Sequence, residues 1–291
     1  MSESKEWTAY IRMKTQTERI YPVLIEYAYA YHLNKIDGLA FVIILFCAMM
    51  IQIITNFFNE IYDFKSGADN ENRLGPARSV ATGKISLQAM RKVTITLVII
   101  TFLAGLYLVS ISDYYILLIG IVSLYFSWAY TGGPFPLAYK GLGDVFVIVF
   151  FGFVAVCGSF YIYTGYLDSF IIIASFVPGI LSANILAANN IRDIATDKKA
   201  GKITLAVRLG EKRSVALYTV MMFVVYYVEF YLYLISSNNL IFLTFITMPL
   251  AVMIFRKLVT AIGKEYETVI TLSGLMMILN SLLFVLAILI W

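Results

Sequence analysis

Long apolar stretches separated by short polar ones fill almost the whole chain. A helix needs roughly 20 apolar residues to cross the hydrocarbon core of a bilayer, which is about 30 Å thick. The stretches come close to this length and lie at residues 18–34, 38–62, 87–111, 114–131, 142–164, 168–191, 213–235, 239–260 and 267–290. The first is the least apolar, because Glu26 interrupts it. We therefore predict an all-α integral membrane protein with nine transmembrane helices.

The composition is typical of a chain that lies mostly in lipid. Hydrophobic residues make up 60% of it and charged residues only 14%, whereas a soluble domain usually carries about 25% charged residues. No polar tract is long enough to form a separate soluble domain, so we treat residues 1–291 as a single domain. The lipid bilayer is the expected partner, and we expect no binding to nucleic acid.

The basic residues predict how the chain crosses the membrane. With nine spans and the N-terminus inside, 21 of the 22 Lys and Arg residues fall in inner segments, and only Lys35 falls outside. Cytoplasmic loops carry such an excess of basic residues. We therefore predict a multi-pass protein of the cell membrane with a cytoplasmic N-terminus and an outer C-terminus. Four spans separate the polar stretches that follow the second and sixth segments, so both stretches are expected at the cytoplasmic face.

The first of these polar stretches ends the second apolar segment. Its residues at i, i+3, i+4 and i+7 share one face of a helix and are Asn56, Asn59, Glu60 and Asp63. Asp69, Arg73 and Arg78 follow after a turn that contains a glycine. Carboxylates beside guanidinium groups suit a divalent metal together with an anionic ligand.

The second polar stretch, residues 189–202, ends the sixth apolar segment. Asp193 and Asp197 are four residues apart, which on a helix brings their Cβ atoms to about 5–6 Å. Two like charges so close repel each other unless a cation lies between them. Mg²⁺ is usually bound by one or two carboxylates together with substrate phosphates. Two such clusters facing each other are therefore suited to hold one or two Mg²⁺ ions and a diphosphate.

Basic and amide residues surround these acids. A departing diphosphate needs its charge neutralised, so we expect Arg78 and Lys202 to contact phosphate. Basic residues near a membrane also meet anionic lipid, and that interpretation stays open for Lys198 in particular. The remaining residues of the second stretch that we expect to contact diphosphate or to support the metal ligands are Asn189, Asn190 and Arg192.

A third inner stretch, residues 130–144, joins the fourth and fifth segments. Its glycines at 132, 133 and 141 allow the backbone to pass close to a ligand. One interpretation is a tight turn with no further role. In the other interpretation, Tyr130 donates a hydrogen bond to a diphosphate and the positive charge of Lys140 offsets the negative charge of that diphosphate.

Two interpretations from other classes compete with a diphosphate site. Acids near helix ends can form a solvated face, and carboxylates within a membrane can line the ion path of a transporter. Transporter sites lie near the bilayer midplane at interrupted helices, whereas these acids cluster at helix ends. The placement of the acids favours a site at the cytoplasmic face.

Three motifs together resemble the UbiA superfamily of intramembrane aromatic prenyltransferases, in particular its members that act on 1,4-dihydroxy-2-naphthoate. The first is Asn56-x2-Asn59-Glu60-x2-Asp63-x5-Asp69, followed by RLGPAR. The second is YTGGP followed by PLAYKGLGD, and the third is NNIRD-x3-D followed by KKAGK. The resemblance covers most of the chain.

The resemblance implies a fold, a cofactor and a reaction. The fold is nine helices around a central cavity open to lipid, with a polar cap on the cytoplasmic side. The implied Mg²⁺ and diphosphate ligands are Asn59, Asp63, Asp69, Asp193 and Asp197. The implied reaction is ionisation of a polyprenyl diphosphate and attack by the aromatic acceptor. For 1,4-dihydroxy-2-naphthoate, the ring loses CO₂ and gives demethylmenaquinone.

Glu60 departs from the motif, since the family usually has Asp at this position. The extra methylene either shifts a metal ligand or turns the residue into a support for other ligands, and we retain Glu60 among the candidate metal ligands. The alternatives that stay open are the same chemistry on another acceptor, such as 4-hydroxybenzoate, homogentisate or a glycerol-phosphate lipid, and a cation-coupled transporter.

Overall fold

The computed structural model describes residues 13–68 and 78–291, with side chains from residue 20 onward. Asp69 and Arg73 lie outside the described residues. The regular structure of the described residues is helical throughout. The helices are α1 (Met13–His32), α2 (Gly38–Lys65), α3 (Leu87–Ile111), α4 (Tyr114–Ala129), α5 (Gly143–Thr164), α6 (Ser169–Arg192), α7 (Ile194–Lys199), α8 (Leu205–Leu209), α9 (Glu211–Ser236), α10 (Asn239–Thr260) and α11 (Gly263–Ile290). A short 3₁₀ helix, Leu137–Lys140, lies between α4 and α5.

Seven of the described helices, α2, α3, α5, α6, α9, α10 and α11, are long and apolar enough to cross a membrane. Helix α4 is apolar but has only 16 residues, which is about 24 Å at 1.5 Å per residue. Helix α1 has 20 residues but is less apolar, because Glu26 and the charged residues of its first turns lower its hydropathy. The helical membrane fold agrees with the sequence, whereas nine spans remain a prediction that depends on α1 and α4.

Polar side chains fix where several helices begin. Asp37 accepts hydrogen bonds from the backbone N–H groups of Leu39 and Ala40 at the start of α2, at 2.8 and 3.0 Å. Ser86 and Asp168 cap α3 and α6 in the same way. These contacts satisfy N–H groups that have no partner within the first turn of a helix. The polar breaks in the sequence therefore coincide with the observed helix starts.

Helix α6 lies at the centre of the bundle, where it packs against α5, α9 and α11. The apolar part of α6 is 78% buried, compared with at most 44% for the other candidate spans. Its backbone touches that of α5, since a Cβ on Gly179 would lie 2.8 Å from Ile148 O and 3.2 Å from Gly152 Cα. Small residues allow such close approach of helices in membranes. The end of α6 that carries the second polar stretch is thus held in the middle of the protein.

An apolar cavity lies between α2, α3, α4 and α5, with an empty volume of about 900 Å³ that includes the space at its mouth. Gly105, Gly120 and Gly158 line it from three different helices. A Cβ on Gly105 or Gly120 would meet nothing within 4 Å. These glycines therefore widen the space between the helices.

The cavity begins near the polar end of α2 and extends toward the start of that helix. Ile51, which lines it, is five residues before Asn56, or about 7.5 Å along the helix axis. At the other end, the lining residues Ile44, Leu108 and Ile116 are buried and pack together. These residues form the apolar wall of the cavity at the end far from the polar stretch.

Candidate active site

The polar face predicted on α2 is buried at the C-terminal end of the helix. Asn56, Glu60 and Asp63 are only 6%, 3% and 3% exposed. Asn59 is half-buried, and its Oδ1 accepts a hydrogen bond from Thr131 Oγ1 at 2.9 Å. Since burying a carboxylate is costly unless it is paired and hydrogen-bonded, the partners of these acids decide what the face can do.

Asp63 is held by a hydroxyl and approached by a guanidinium group. Tyr139 OH donates a hydrogen bond to Asp63 Oδ1 at 2.8 Å and lies 2.6 Å from Ser66 Oγ. Arg78 Nη2 is 3.8 Å from Asp63 Oδ2, and both side chains are at most 6% exposed. The structure therefore brings Asp63 and Arg78 of the first cluster together in a nearly dry environment, where charges interact more strongly than in water.

The second cluster forms where α6 ends. Asp193 separates α6 from α7, and Asp197 N donates a hydrogen bond to Asp193 O at 2.8 Å. The helical i, i+4 relationship predicted for the two acids is therefore present across the break. Asp197 is 8% exposed, and Lys202 Nζ lies 3.8 Å from Asp197 Oδ1. Lys202 is thus the cationic neighbour of Asp197, as Arg78 is of Asp63.

Arg192 has two acidic partners. Its Nε and Nη2 donate to Asp193 Oδ1 and Oδ2 at 2.8 and 2.6 Å, which is the bidentate arrangement that guanidinium groups favour. Its Nη1 donates to Glu267 Oε1 on α11. Arg192 therefore ties Asp193 to the last helix of the bundle.

Tyr139 lies between the two clusters. Its hydroxyl bonds to Asp63, and Lys202 Nζ lies 5.7 Å from the centroid of its ring, within the range of a cation–π contact. Ile203 N also donates to Tyr139 O at 3.3 Å. A chain of contacts thus runs from Asp63 through Tyr139 and Lys202 to Asp197. These contacts place both clusters at the same end of the helix bundle.

The third polar stretch forms a turn that closes against α2. A Cβ on Gly132 would lie 2.6 Å from the Tyr62 ring and 2.9 Å from Trp128 Nε1, so only glycine fits there. Ala138 N donates to Tyr130 O at 2.8 Å, which folds the stretch back on itself and carries Tyr139 toward Asp63. The Tyr130 hydroxyl itself lies against Gly143, where a Cβ would approach it to 2.9 Å.

The other predicted residues have different surroundings. Lys140 is exposed, and its Nζ lies 5.6 Å from the centroid of the Phe135 ring. Lys198 is also exposed. Asn189 Nδ2 donates to Ile185 O at 2.9 Å, one turn earlier in α6, and Asn190 is 9% exposed. The structure therefore places the Lys140 ammonium group beside the Phe135 ring.

The donor set is suited to Mg²⁺ only in combination with another ligand. Within residues 13–68 and 78–291, no group of three or more His, Cys, Asp or Glu side chains is placed to hold a metal by itself. Carboxylates from two different helices are nevertheless present, and Mg²⁺ is usually held by one or two carboxylates plus substrate phosphates. The oxygen-only character of the set fits this hard cation.

Sequence reasoning missed two residues of the site. Tyr139 lies within the third stretch, in the segment PLAYK, but only Tyr130 and Lys140 of that stretch were expected to act. Glu267 lies at the start of α11, far from every motif. The position of Tyr139 inside a polar stretch was an available signal, whereas nothing in the sequence around Glu267 indicates its bond to Arg192.

Comparisons with known proteins give a consistent result. The model of the UbiA prenyltransferase family matches residues 20–282. The 1,4-dihydroxy-2-naphthoate octaprenyltransferase of Haemophilus influenzae is 37% identical over 214 residues, which cover 71% of this chain and 70% of the relative. The Escherichia coli protein of the same name is 34% identical over 217 residues, covering 72% and 70%.

Solved structures share the fold. The structure of a UbiA homolog from Archaeoglobus fulgidus bound to DMAPP and Mg²⁺ has a TM-score of 0.71 at 15% identity, with 96% of this chain and 97% of that chain covered. A structure of digeranylgeranylglyceryl phosphate synthase has a TM-score of 0.66 at 20% identity, with both chains fully covered. At these identities the likeness shows the fold alone.

Proposed function

The chain belongs to the UbiA prenyltransferase family, and we propose that it transfers a polyprenyl chain from a polyprenyl diphosphate to 1,4-dihydroxy-2-naphthoate. The protein is an enzyme that transfers prenyl groups. In the proposed reaction, the bond between the allylic carbon and the diphosphate oxygen breaks and a bond to the naphthalene ring forms. The ring loses its carboxylate as CO₂, and the product is demethylmenaquinol, the reduced form of demethylmenaquinone.

The observation that carries the proposal is the chain of contacts from Asp63 through Tyr139 and Lys202 to Asp197. It brings two acids that are 134 positions apart in the sequence to one end of the bundle. Each acid has a cationic side chain at 3.8 Å, Arg78 for the first and Lys202 for the second. A diphosphate between the clusters would be flanked by both cations, which offset the negative charge that develops as it leaves.

We propose Mg²⁺ as the cofactor, with Asn59, Asp63, Asp69, Asp193 and Asp197 as the residues that would hold it. When bound, Mg²⁺ adds positive charge beside the diphosphate oxygens and makes the diphosphate a better leaving group. The A. fulgidus homolog, with Mg²⁺ and DMAPP bound, supports this choice. We leave Glu60 out of this set, since its Oε1 accepts two hydrogen bonds from the segment that follows Arg78.

The cavity between α2 and α5 is the proposed place for the prenyl chain. Its wall is apolar, and Phe102 and Phe150 contribute aromatic faces to it. An isoprenoid chain finds apolar surroundings there like those of the lipid tails, so it can enter without burying polar groups of the protein. The polar face of α2, which begins five residues or about 7.5 Å after Ile51, would hold the diphosphate, so the allylic carbon would lie at the boundary between the two regions.

The names of the relatives support the naphthoate acceptor. Five relatives at 32–37% identity are named 1,4-dihydroxy-2-naphthoate octaprenyltransferase, and they come from several bacteria. A further relative, 30% identical, is a 2-carboxy-1,4-naphthoquinone phytyltransferase from Synechocystis. All six names describe naphthalene rings that carry a carboxyl group. Loss of that group as CO₂ from the ring carbon that is prenylated distinguishes this acceptor from a phenol that is prenylated at a ring C–H position, such as 4-hydroxybenzoate.

We also propose the orientation that the basic residues predict. The N-terminus and both acidic clusters would face the cytoplasm, the C-terminus would lie outside, and α1 and α4 would complete nine spans in the cell membrane. The excess of Lys and Arg in the inner segments supports this arrangement. A soluble acceptor and a soluble diphosphate product would then exchange with the cytoplasm.

The test is an acceptor comparison with the purified protein in lipid nanodiscs. Mg²⁺, a polyprenyl diphosphate and one acceptor are supplied at a time, namely 1,4-dihydroxy-2-naphthoate, 4-hydroxybenzoate or homogentisate. We expect prenylated product, diphosphate and CO₂ in equal amounts with the naphthoate alone. Asp197→Asn protein is the matched control for contaminating activity. Turnover with a phenolic acceptor but not with the naphthoate would contradict the proposed acceptor.

A further inference from the structure

Glu60 anchors the backbone segment that follows Arg78. Val80 N donates a hydrogen bond to Glu60 Oε1 at 2.8 Å, and Ser79 Oγ donates to the same oxygen. The three residues Glu60, Ser79 and Val80 are at most 5% exposed. One oxygen of a buried carboxylate thus binds two consecutive residues of one segment, and a hydrogen bond to a charged group is about twice as strong as a neutral one.

The anchored segment is a compact turn. Thr82 N and Thr82 Oγ1 both donate to Arg78 O, at 3.0 and 2.9 Å, and Lys84 N donates to Ser79 O at 3.0 Å. The backbone from Arg78 to Lys84 is therefore internally braced. Fixing Ser79 and Val80 on Glu60 also fixes the Cα position of Arg78, which precedes them.

Helix α2 holds this segment at two points. Glu60 and Asp63 are three residues apart, so they lie on the same face about one turn from each other. Glu60 binds the backbone and hydroxyl after Arg78, while Asp63 Oδ2 lies 3.8 Å from the Arg78 guanidinium. The ion pair at 3.8 Å is by itself a weak constraint on geometry, so the attachment of Ser79 and Val80 to Glu60 adds a second, backbone constraint on where Arg78 lies.

We propose that Glu60 is a positioning residue that places Arg78 beside the diphosphate, and that it is not a metal ligand. This inference rests on the proposed function, because it names the diphosphate end of the prenyl donor as the group that Arg78 meets. It also accounts for Glu where the family resemblance leads one to expect Asp. The additional methylene extends the carboxylate by roughly 1.5 Å, and the carboxylate needs this reach to meet Val80 N.

The two roles predict opposite rankings of enzymatic activity for the variants Glu60→Gln and Glu60→Asp. Glu60→Gln keeps Oε1 as an acceptor for Ser79 and Val80 but removes the charge that a metal ligand needs. Glu60→Asp keeps the charge but withdraws it from Val80. As a positioning residue, Glu60 should tolerate Gln and not Asp. As a metal ligand, it should tolerate Asp and not Gln.

The experiment compares full-length wild-type, E60Q, E60D and S79A enzymes in nanodiscs. We expect E60D to raise the KM for the polyprenyl diphosphate at least tenfold, S79A to raise it less, and E60Q to retain at least a third of the wild-type kcat/KM. Mn²⁺ replaces Mg²⁺ for a binding measurement by electron paramagnetic resonance. The affinity for Mn²⁺ should stay within twofold of wild type in E60Q, E60D and S79A. The matched control is E265D, because Glu265 Oε2 also accepts a backbone N–H, that of Ile262, in an exposed turn.

A second readout does not depend on turnover. Hydrogen–deuterium exchange of the peptide that covers residues 78–85 should become at least tenfold faster in E60D and stay near wild type in E60Q and E265D. Loss of Mn²⁺ affinity in E60Q together with normal exchange in E60D would overturn the inference. If wild type makes no prenylated product but E60D still loosens residues 78–85, then the proposed function fails while the anchoring role of Glu60 stands.

Discussion

The Tyr139 hydroxyl donates a hydrogen bond to Asp63 Oδ1 at 2.8 Å, although the two residues are 76 positions apart in the chain. The ring of the same tyrosine lies under Lys202 Nζ, which in turn lies 3.8 Å from Asp197. One side chain therefore contacts both halves of the site. Its two contacts can be separated by mutation, because the hydroxyl serves the first cluster and the ring serves the second.

Tyr139→Phe should impair the handling of the prenyl diphosphate without disordering the second cluster. A hydrogen bond to a charged group contributes about 1.5–3 kcal/mol, so we expect kcat/KM for the polyprenyl diphosphate to fall roughly tenfold or more. Steady-state kinetics with varied diphosphate measures this. Tyr139→Leu also removes the ring beneath Lys202, so it should lower kcat/KM further than Tyr139→Phe does. Equal kinetics for the Y139F and wild-type enzymes would contradict a role for the hydroxyl.

Asp197→Asn should abolish most of the transfer activity while leaving the fold intact. The substitution removes a buried negative charge beside Lys202. The metal that would bind the diphosphate therefore loses one anionic ligand. We expect kcat to fall by about 100-fold or more, measured as prenylated product at saturating substrates. Asp168→Asn is the matched control, since Asp168 caps the start of α6 at the other end of the bundle. Comparable losses in both variants would point to a general effect of lost charge.

Gly120→Phe should shorten the prenyl chain that the enzyme accepts. Gly120 lines the cavity, and a side chain there would project into open space. We expect kcat/KM for a long polyprenyl diphosphate to fall roughly tenfold or more, and that for geranyl diphosphate to change much less, because one mismatched group in an apolar pocket costs about 1–3 kcal/mol. Competition between the two donors, followed by mass spectrometry, measures the ratio.

The control for this prediction lies on the same helix. Leu118 is 60% exposed and does not line the cavity, so Leu118→Phe adds bulk on the outer side of α4. The Leu118→Phe enzyme should keep the wild-type preference for the length of the prenyl chain. A shift of preference in L118F as large as in G120F would mean that the cavity does not hold the prenyl chain.

Gly179→Ala should destabilise the fold. Its Cβ would lie 2.8 Å from Ile148 O, which belongs to the backbone of α5 and cannot move like a flexible side chain. Overpacking of this kind costs about 1–3 kcal/mol, so the midpoint of thermal unfolding in detergent should fall by several degrees. Gly274→Ala on α11 is the control, since a Cβ there would meet nothing within 4 Å. An unchanged midpoint for G179A would show that α5 and α6 can separate without cost.

The sequence by itself determined the helical membrane fold and the residue types of the site. Apolar runs are a local property, and a run of sufficient length in lipid has to form a helix because its backbone polar groups find no other partners. The spacing of Asp193 and Asp197 is equally local, and the hydrogen bond from Asp197 N to Asp193 O preserves it although α6 ends between them. The polar breaks that carry Asp37, Ser86 and Asp168 likewise fixed the helix starts.

Only the tertiary structure decided which of these groups meet. Tyr139 reaches Asp63 and Arg192 reaches Glu267 across more than 70 intervening positions, and no periodicity in the sequence encodes contacts of that range. Two equally buried acids of α2 have different partners, since Glu60 accepts hydrogen bonds from the segment after Arg78 while Asp63 accepts one from Tyr139. The physical reason is that a helix fixes the direction of each side chain, but the packing of other helices and turns around it supplies the partner.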